Sequence, residues 1–403
     1  MDHIQALSTR VKSLTESATL EMTRKSRELR DQGIDVITLS IGEPDFDTPM
    51  VVKEAAIQAI HNNFTHYPPV QGIPELRKAI AEKLLRDNNL HYKPSQIIVS
   101  NGAKQSIMNA FFSLINDGEE VIIPAPYWVS YPEMVKLAGG KPVVISTSVD
   151  QDFKISANQL EKAITPLTKA FIFSSPCNPS GSVYTKEELR ALAAVFEKHP
   201  QVYIISDEIY EYIRFGGPHE SIAQFAEIFE RVIVINGLSK GYAMTGWRVG
   251  YMAANLWIAD ACNTIQGQYT SGSCTISQAA ALEAVNADPV TSPELNDMVR
   301  QFKQRRSLLF ENLSQIEGII PNMPDGAFYM FPDVSFFFGK SNGKYDIRNS
   351  RDLCLYLLSE AHVALVSGDA FGCDCCIRFS YATSPSLINE ATNRIKQALS
   401  KLQ

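Results

Sequence analysis

Lys240 and Arg248 stand in the stretch Asn236-Gly-Leu-Ser-Lys240-Gly-Tyr-Ala-Met-Thr-Gly-Trp-Arg248-Val-Gly250, directly after the strand-like run Val232–Ile235. A lysine on such a small-residue turn can form a Schiff base with an aldehyde. An arginine is a planar, permanently charged fork suited to phosphate. Pyridoxal phosphate (PLP) carries both an aldehyde and a phosphate. On their own the two residues read equally as a helix start with two solvated cations.

Further polar residues stand where apolar runs end. Asp207 follows Val202-Tyr-Ile-Ile-Ser. A carboxylate there keeps a pyridine nitrogen protonated and the ring a strong electron sink. It serves as well as an N-cap for a following helix. Tyr210 and Asn178 can each donate to a ring hydroxyl, which lowers a Schiff-base pKa. Their plain readings are packing for Tyr210 and a turn before Pro179 for Asn178. Ser100-Asn-Gly102-Ala103-Lys104-Gln105 brings small residues to a helix N-terminus, where backbone N–H groups bind phosphate. Trp128 can stack on a flat ring, or simply fill a core. Arg378 lies inside the apolar run Ile377-Arg-Phe-Ser, where an unpaired cation is costly. Its fork suits a substrate carboxylate.

These residues need elements to hold them. The runs at 97–100, 120–123, 170–173, 202–206 and 232–235 alternate with helical patterns, among them Gln105–Leu114 and a helix opened by the capping box Thr185…Glu188. Short apolar runs separated by helices predict an α/β fold with a mainly parallel central sheet flanked by helices. Ligands in such sheets bind beyond the carboxyl ends of the strands. Gly102, Asn178, Asp207 and Lys240 all fall there. From about Ser292 the pattern changes to a long charged helix around Met298–Leu313. The short strands Ala327–Phe331, Val363–Val366 and Ile377–Ser380 follow, then a last helix, Ser386–Leu402. The predicted organisation is an arm and partial small domain over 1–49, a large domain over 50–291 and a smaller α+β domain over 292–403.

Composition excludes other classes. With 403 residues the chain is long for one core. Its net charge of −7 argues against a general nucleic-acid binder or a basic membrane-surface protein. No signal-like or membrane-spanning segment is evident, so a cytoplasmic protein is expected. The seven cysteines are scattered and odd in number, unlike a disulfide framework. Cys373-Asp-Cys375-Cys376 is the one cluster. Without a second ligand pair it is not assigned a metal; a structural or incidental role is expected, with a redox-sensitive thiol close before Arg378 as the alternative.

Taken together the motifs resemble the class I, fold-type I PLP-dependent aminotransferases, most closely the bacterial aspartate aminotransferases of the Ib subgroup. The resemblance runs through Ile41-Gly-Glu-Pro-Asp-Phe-Asp-Thr-Pro49, Tyr67-Pro-Pro-Val-Gln-Gly-Ile-Pro-Glu-Leu-Arg77, Pro126-Tyr-Trp-Val-Ser-Tyr-Pro-Glu133, Asn178-Pro-Ser-Gly181, Ser206-Asp-Glu-Ile-Tyr210, the Lys240 segment and Arg378-Phe-Ser-Tyr-Ala-Thr-Ser384. It implies a Schiff-base role for Lys240 and cofactor contacts from Gly102, Ala103, Lys104, Trp128, Asn178, Asp207, Tyr210, Ser239 and Arg248. It implies substrate contacts from Gly42, Trp128, Asn178 and Arg378. Tyr67 is implied to reach the phosphate of a neighbouring subunit, hence a homodimer with shared sites acting on an amino acid and a 2-oxo acid.

Two departures bear on substrate. Relatives with a serine three positions before the lysine differ from Gly237 here, which leaves Ser239 as the nearby hydroxyl. Relatives acting on dicarboxylates or prephenate often carry a cation before their Ser-x-Thr pair. Here Ser17-Ala-Thr19 is preceded by Thr15, and Lys104 is left as the partner for a distal carboxylate. The expected reaction is L-aspartate plus 2-oxoglutarate. The alternatives are an aromatic amino acid, prephenate or alanine as substrate, a PLP-dependent lyase, or a PLP-binding regulator without turnover.

Overall fold

The structure, a computed structural model, describes residues 6–15 and 18–403. Its centre is a seven-stranded sheet. The strands are β2 (Ile97–Ser100), β3 (Glu120–Pro124), β4 (Lys141–Ile145), β5 (Thr168–Ser174), β6 (Tyr203–Asp207), β7 (Val232–Gly237) and β8 (Gly250–Ala253). Across the sheet they run β2-β8-β7-β6-β5-β3-β4. The β4-β3-β5-β6-β7 pairs are all parallel, and only β8 runs against its two neighbours. The mainly parallel sheet expected from the apolar runs is therefore present.

Both faces of the sheet are covered, as continuous apolar strands require. One face packs Val99, Phe171, Ile204, Val232 and Val234 against helices Pro74–Asn88, Lys186–Lys198 and Thr275–Asn286. The other packs Ile98, Ile172, Ile205, Ile233 and Ile235 against helices Ala103–Leu114 and Leu256–Tyr269. Each fully buried side chain of this kind is worth about 1.5–3 kcal/mol relative to exposure. Thr185 and Glu188 form the predicted capping box.

Two strands of this sheet escaped the sequence reading. β4 opens Lys141-Pro142 and lies at the sheet edge, where a proline is tolerated because no partner needs its missing N–H. β8 is the four-residue run Gly-Tyr-Met-Ala, which has no β-branched residue to mark it as a strand.

A second core joins residues from both ends of the chain. Val36, Ile37 and Leu39 pack with Phe302, Leu309, Phe328, Tyr356, Val363 and Ile395. β1 (Ile37–Thr38) pairs in parallel with β10 (Val363–Ala364). β9 (Tyr329–Met330), β11 (Val366–Ser367) and β12 (Ile377–Ser380) form a three-stranded sheet in the order β11-β12-β9. The run Ala327–Phe331 thus contributes only its middle to a strand, and Val363–Val366 divides between two sheets. The long helix spans Pro293–Ser314 and the last one Pro385–Leu399. Among the described residues no helix is long and apolar enough to cross a membrane.

Candidate active site

β2, β3, β5, β6 and β7 all end on one edge of the central sheet, and the candidate residues gather there. Lys240 lies just beyond β7, in a run of turns rather than a helix start. Its Nζ donates to the carbonyl of Gly42 at 2.6 Å and lies 5.8 Å from the centre of the Tyr210 ring. The lysine pKa is lowered to about 8. Burial is the main cause; the positive charges of Arg378 and Arg248 act in the same direction, and Glu43 and Asp207 oppose them.

Asp207 is the last residue of β6 and only 5% exposed. One carboxylate oxygen accepts from the Tyr131 hydroxyl at 2.6 Å and the other from the Ile209 N–H at 3.2 Å. Turns, not a helix, follow it, so its local bond is to a turn. Burial raises its pKa to about 6, while those two bonds hold it down. The adjacent Glu208 points away into its own network with Ser206, Ser221 and His219.

Tyr210 is buried with its hydroxyl 2.8 Å from that of Tyr329. Burial drives its pKa well above the usual tyrosine value. Asn178 uses its side-chain oxygen to accept from Arg378 Nη1 at 3.0 Å. Trp128 is half-buried, edge-on to Tyr131 at 5.5 Å, with the Lys104 ammonium 4.9 Å from its ring centre. The Lys104 pKa is lowered, by burial first and then by Arg248. Ser239 is buried beside Lys240.

The other side of the site is an anion cradle. The helix Ala103–Leu114 starts at Gly102 with no side-chain cap. Arg248 faces this end, donating to the carbonyls of Thr245 (2.8 Å) and Asn101 (3.4 Å). Its φ of 56° is unusual for a non-glycine residue, and the β8 strand that starts two residues later fixes it there. Two glycines permit the approach. A Cβ on Gly102 would collide with the Arg248 guanidinium, and one on Gly250 with the backbone of Ala103. An uncapped helix start beside an arginine is the donor set a phosphate monoester needs.

Arg378, on β12, is 2% exposed. It donates to Asn178 Oδ1 and, at 2.6 Å, to the Ser40 carbonyl. Its guanidinium carbon lies 4.6 Å from the centre of the Tyr329 ring and 5.0 Å from that of Phe371. Its Nε is buried without a partner, and no carboxylate among the described residues bonds it. Burial lowers its pKa.

A cavity of about 1020 Å³ opens beside the cradle, lined among others by Thr15, Asn101, Lys104, Glu133 and Arg248. Thr15 donates its backbone N–H to Glu133 at 3.0 Å. Ser17 lies outside the described residues. Tyr67 stands apart from the group, 95% exposed. Sequence reasoning missed Tyr131 and Tyr329. Both lie in quoted motifs or apolar runs, but nothing in their type marks them off from core tyrosines.

The class I and II aminotransferase model matches residues 34–395, and this chain belongs to that family. It is therefore an aminotransferase of the PLP-dependent type. It is 47% identical to an aspartate aminotransferase from Bacillus sp. strain YM-2, over 97% of this chain and 98% of that one. It is 46% identical to a bifunctional aspartate aminotransferase and glutamate/aspartate-prephenate aminotransferase of Petunia hybrida, over 99% of this chain and 84% of the relative. Among solved structures it resembles the aspartate aminotransferase from Rhizobium meliloti, with a TM-score of 0.95, 40% identity and coverage of 98% and 99%. The Thermus thermophilus aspartate aminotransferase with maleate gives a TM-score of 0.91 at 40% identity, covering 97% and 99%.

Proposed function

We propose that this enzyme moves the amino group of L-aspartate to 2-oxoglutarate, giving oxaloacetate and L-glutamate. The observation that carries the reading is Arg378: a buried guanidinium with one donor unused and no carboxylate partner, close enough to Lys240 to help lower its pKa. Such a group is costly until an anion arrives. An α-carboxylate supplies that anion and places the amino group near Lys240.

Bound PLP supplies the electron sink that makes the substrate α-proton removable. The backbone N–H groups of Ala103 and Lys104 at the uncapped helix start, with Arg248 facing them, would hold the phosphate. Asp207 would hold the protonated ring nitrogen, and Tyr210 and Asn178 the ring hydroxyl. Trp128 would cover the ring and Ser239 would join the phosphate side. Lys240, its pKa lowered to about 8, is fitted to carry the cofactor and then to take and return a proton at the α-carbon. Gly42 holds its Nζ meanwhile through a carbonyl.

The reading extends to a homodimer. Tyr67 is a large aromatic residue almost wholly exposed in the single chain, which suits a residue that completes a neighbour's phosphate site. It also treats residues 50–291 as the large domain, with 1–49 and 292–403 forming the smaller one around the second core.

Aspartate is favoured because Lys104 sits at the cavity beside Arg248, where a distal carboxylate can reach it. Thr15 on the same wall supports a second reading, prephenate or an aromatic substrate, because a threonine neither requires nor repels a side-chain charge. The first experiment is a single turnover. PLP-loaded enzyme mixed with L-aspartate and no oxo acid should lose its yellow absorbance and release one oxaloacetate per site. A yellow enzyme that ignores aspartate but bleaches with another amino acid would overturn the substrate and keep the chemistry.

A further inference from the structure

Three thiols meet outside the active site. Cys373, Cys375 and Cys376 have every pair of Sγ atoms 3.6 Å apart. All are free thiols. Cys376 is fully buried, Cys373 nearly so, and Cys375 half-buried. They belong to a small separate core with Phe331, Val366 and Phe371.

We propose that Cys373, Cys375 and Cys376 form a three-thiolate site for a thiophilic d10 cation, with Zn²⁺ as the fitting ion. An equilateral triangle of side 3.6 Å has its centre about 2.1 Å from each corner. A zinc ion with Zn–S bonds of about 2.3 Å therefore stands roughly 1 Å above that plane, with S–Zn–S angles of about 103°, close to tetrahedral. The three sulfurs occupy one face of a tetrahedron, and the fourth corner is left for water or a small anion. Hard cations such as Mg²⁺ or Ca²⁺ have no reason to bind three sulfurs. Each thiol gives its proton to solvent as the ion enters, so three protons leave per ion bound.

The loop that carries the thiols is already tied in place. Cys373 N–H donates to the Gly368 carbonyl at 2.9 Å, Cys376 N–H to the Cys373 carbonyl at 3.3 Å, and Val334 N–H to the Cys375 carbonyl at 2.8 Å. Asp333 and Cys376 form an antiparallel bridge. A side chain at Gly368 would collide with the carbonyls of Cys373 and Cys376, so the backbone there is packed to contact. A triangle held this way needs little rearrangement to bind, which keeps affinity high. Three ligands within one short turn also answer the sequence-level objection that a metal needs a second pair: a three-sulfur site needs none.

The test does not use catalysis, so it stands or falls apart from the assigned reaction. Reduced PLP-loaded enzyme is titrated with Zn²⁺ against a chromophoric chelator. The expected result is one tight equivalent per chain, at least 100-fold weaker in Cys375→Ser and in Cys373→Ser, and unchanged in Cys274→Ser. Co²⁺ at the same site should show thiolate-to-metal charge transfer that both trio variants lose. No equivalent tighter than that of the variants, or a tight equivalent that survives both, overturns the proposal. Should the variants fail to fold, alkylation of the wild-type enzyme decides. Zn²⁺ should protect Cys375 at least 10-fold and leave exposed Cys274 unprotected. Equal rates with and without Zn²⁺ overturn the site.

Discussion

Two groups of buried cations hang from the same turn and are treated in opposite ways. On one side Lys83, 2% exposed, is ion-paired to Glu211 and lies 3.8 Å from Asp87 and 2.8 Å from Asn88. Asn88 donates to the other Glu211 oxygen, and the Tyr212 hydroxyl donates to the Asp87 oxygen that faces Lys83. On the other side, among the described residues, Lys240 has only a neutral carbonyl as hydrogen-bond acceptor, and Arg378 has two neutral acceptors and an idle Nε. The segment 207–212 feeds both: Asp207 and Tyr210 face Lys240, while Glu211 and Tyr212 face Lys83. The paired group is complete in itself and holds the helix Pro74–Asn88 to the sheet. The unpaired group is complete only with a bound anion, so the difference separates a structural site from a functional one.

The largest test removes the reactive cation. Lys240→Ala should lower steady-state turnover of aspartate and 2-oxoglutarate by about 10⁴-fold or more, because both the anchor and the proton carrier go. Its far-ultraviolet circular dichroism should stay that of wild type, since no buried carboxylate loses a hydrogen-bond partner. Retained turnover would end the assignment.

Next come matched replacements on the two sides. Lys83→Met leaves Glu211 buried without its cation, while Asp87 keeps Arg86, and should cost about 3–5 kcal/mol of stability. The activity of the molecules still folded should change little. Arg378→Met should do the reverse. A buried charge-assisted contact to the substrate is worth about 2–5 kcal/mol, so kcat/KM for aspartate should fall by about 30- to 5,000-fold. Urea unfolding should show a smaller loss than for Lys83→Met, because the arginine leaves no carboxylate behind. Equal losses of stability in the two variants would remove the distinction.

The sequence carried the paired and unpaired groups unequally. Lys240, Asp207 and Arg378 were legible because each is a charged residue at the end of, or inside, an apolar run, a costly position that needs a reason. The parallel sheet was legible for the same reason, as uninterrupted apolar strands are buried on both faces. Lys83 and Glu211 were not, because Lys83 lies in an ordinary helical pattern, and its partner is 128 positions away. Tyr131 and Tyr329 were hidden likewise: a tyrosine gives the same signal whether its hydroxyl binds a catalytic carboxylate or nothing. β8 was missed because Gly-Tyr-Met-Ala lacks the β-branched residues that mark the equally short β2, Ile-Ile-Val-Ser. It is nevertheless the strand that fixes Arg248 beside Gly102.

The pKa of Lys240 supplies a finer test. In the cofactor-free protein its amine is neutral above about 8, against an ordinary 10.5. The rate at which the apoenzyme captures PLP should therefore rise with pH and level off above about 8. Arg378→Met removes a cation that lowers this pKa, so the midpoint should move upward. The same shift has a stability consequence. Between about 8 and 10.5 the unfolded chain holds more protons at this lysine than the folded one, so apoenzyme stability should rise with pH across that window. Below about 8 the cost is constant. The paired Lys83 supplies the control: Lys83→Met should leave the capture profile where it is, and a moved midpoint would show the two groups to be coupled.

The smallest expected effect concerns the outer cation, Lys104, which is intermediate between the two sides. Its ammonium lies over the Trp128 ring, a weak neutral partner, and its pKa is lowered. If it receives a distal carboxylate, Lys104→Ala should lower kcat/KM for aspartate by about 10-fold, near 1.4 kcal/mol, as a partly solvated charge contact allows. An aromatic donor lacks that carboxylate and should lose less, so the ratio of the two specificities is the quantity to measure. An equal loss for both donors would assign Lys104 to the cofactor phosphate instead, leaving Arg378 as the one cation reserved for substrate.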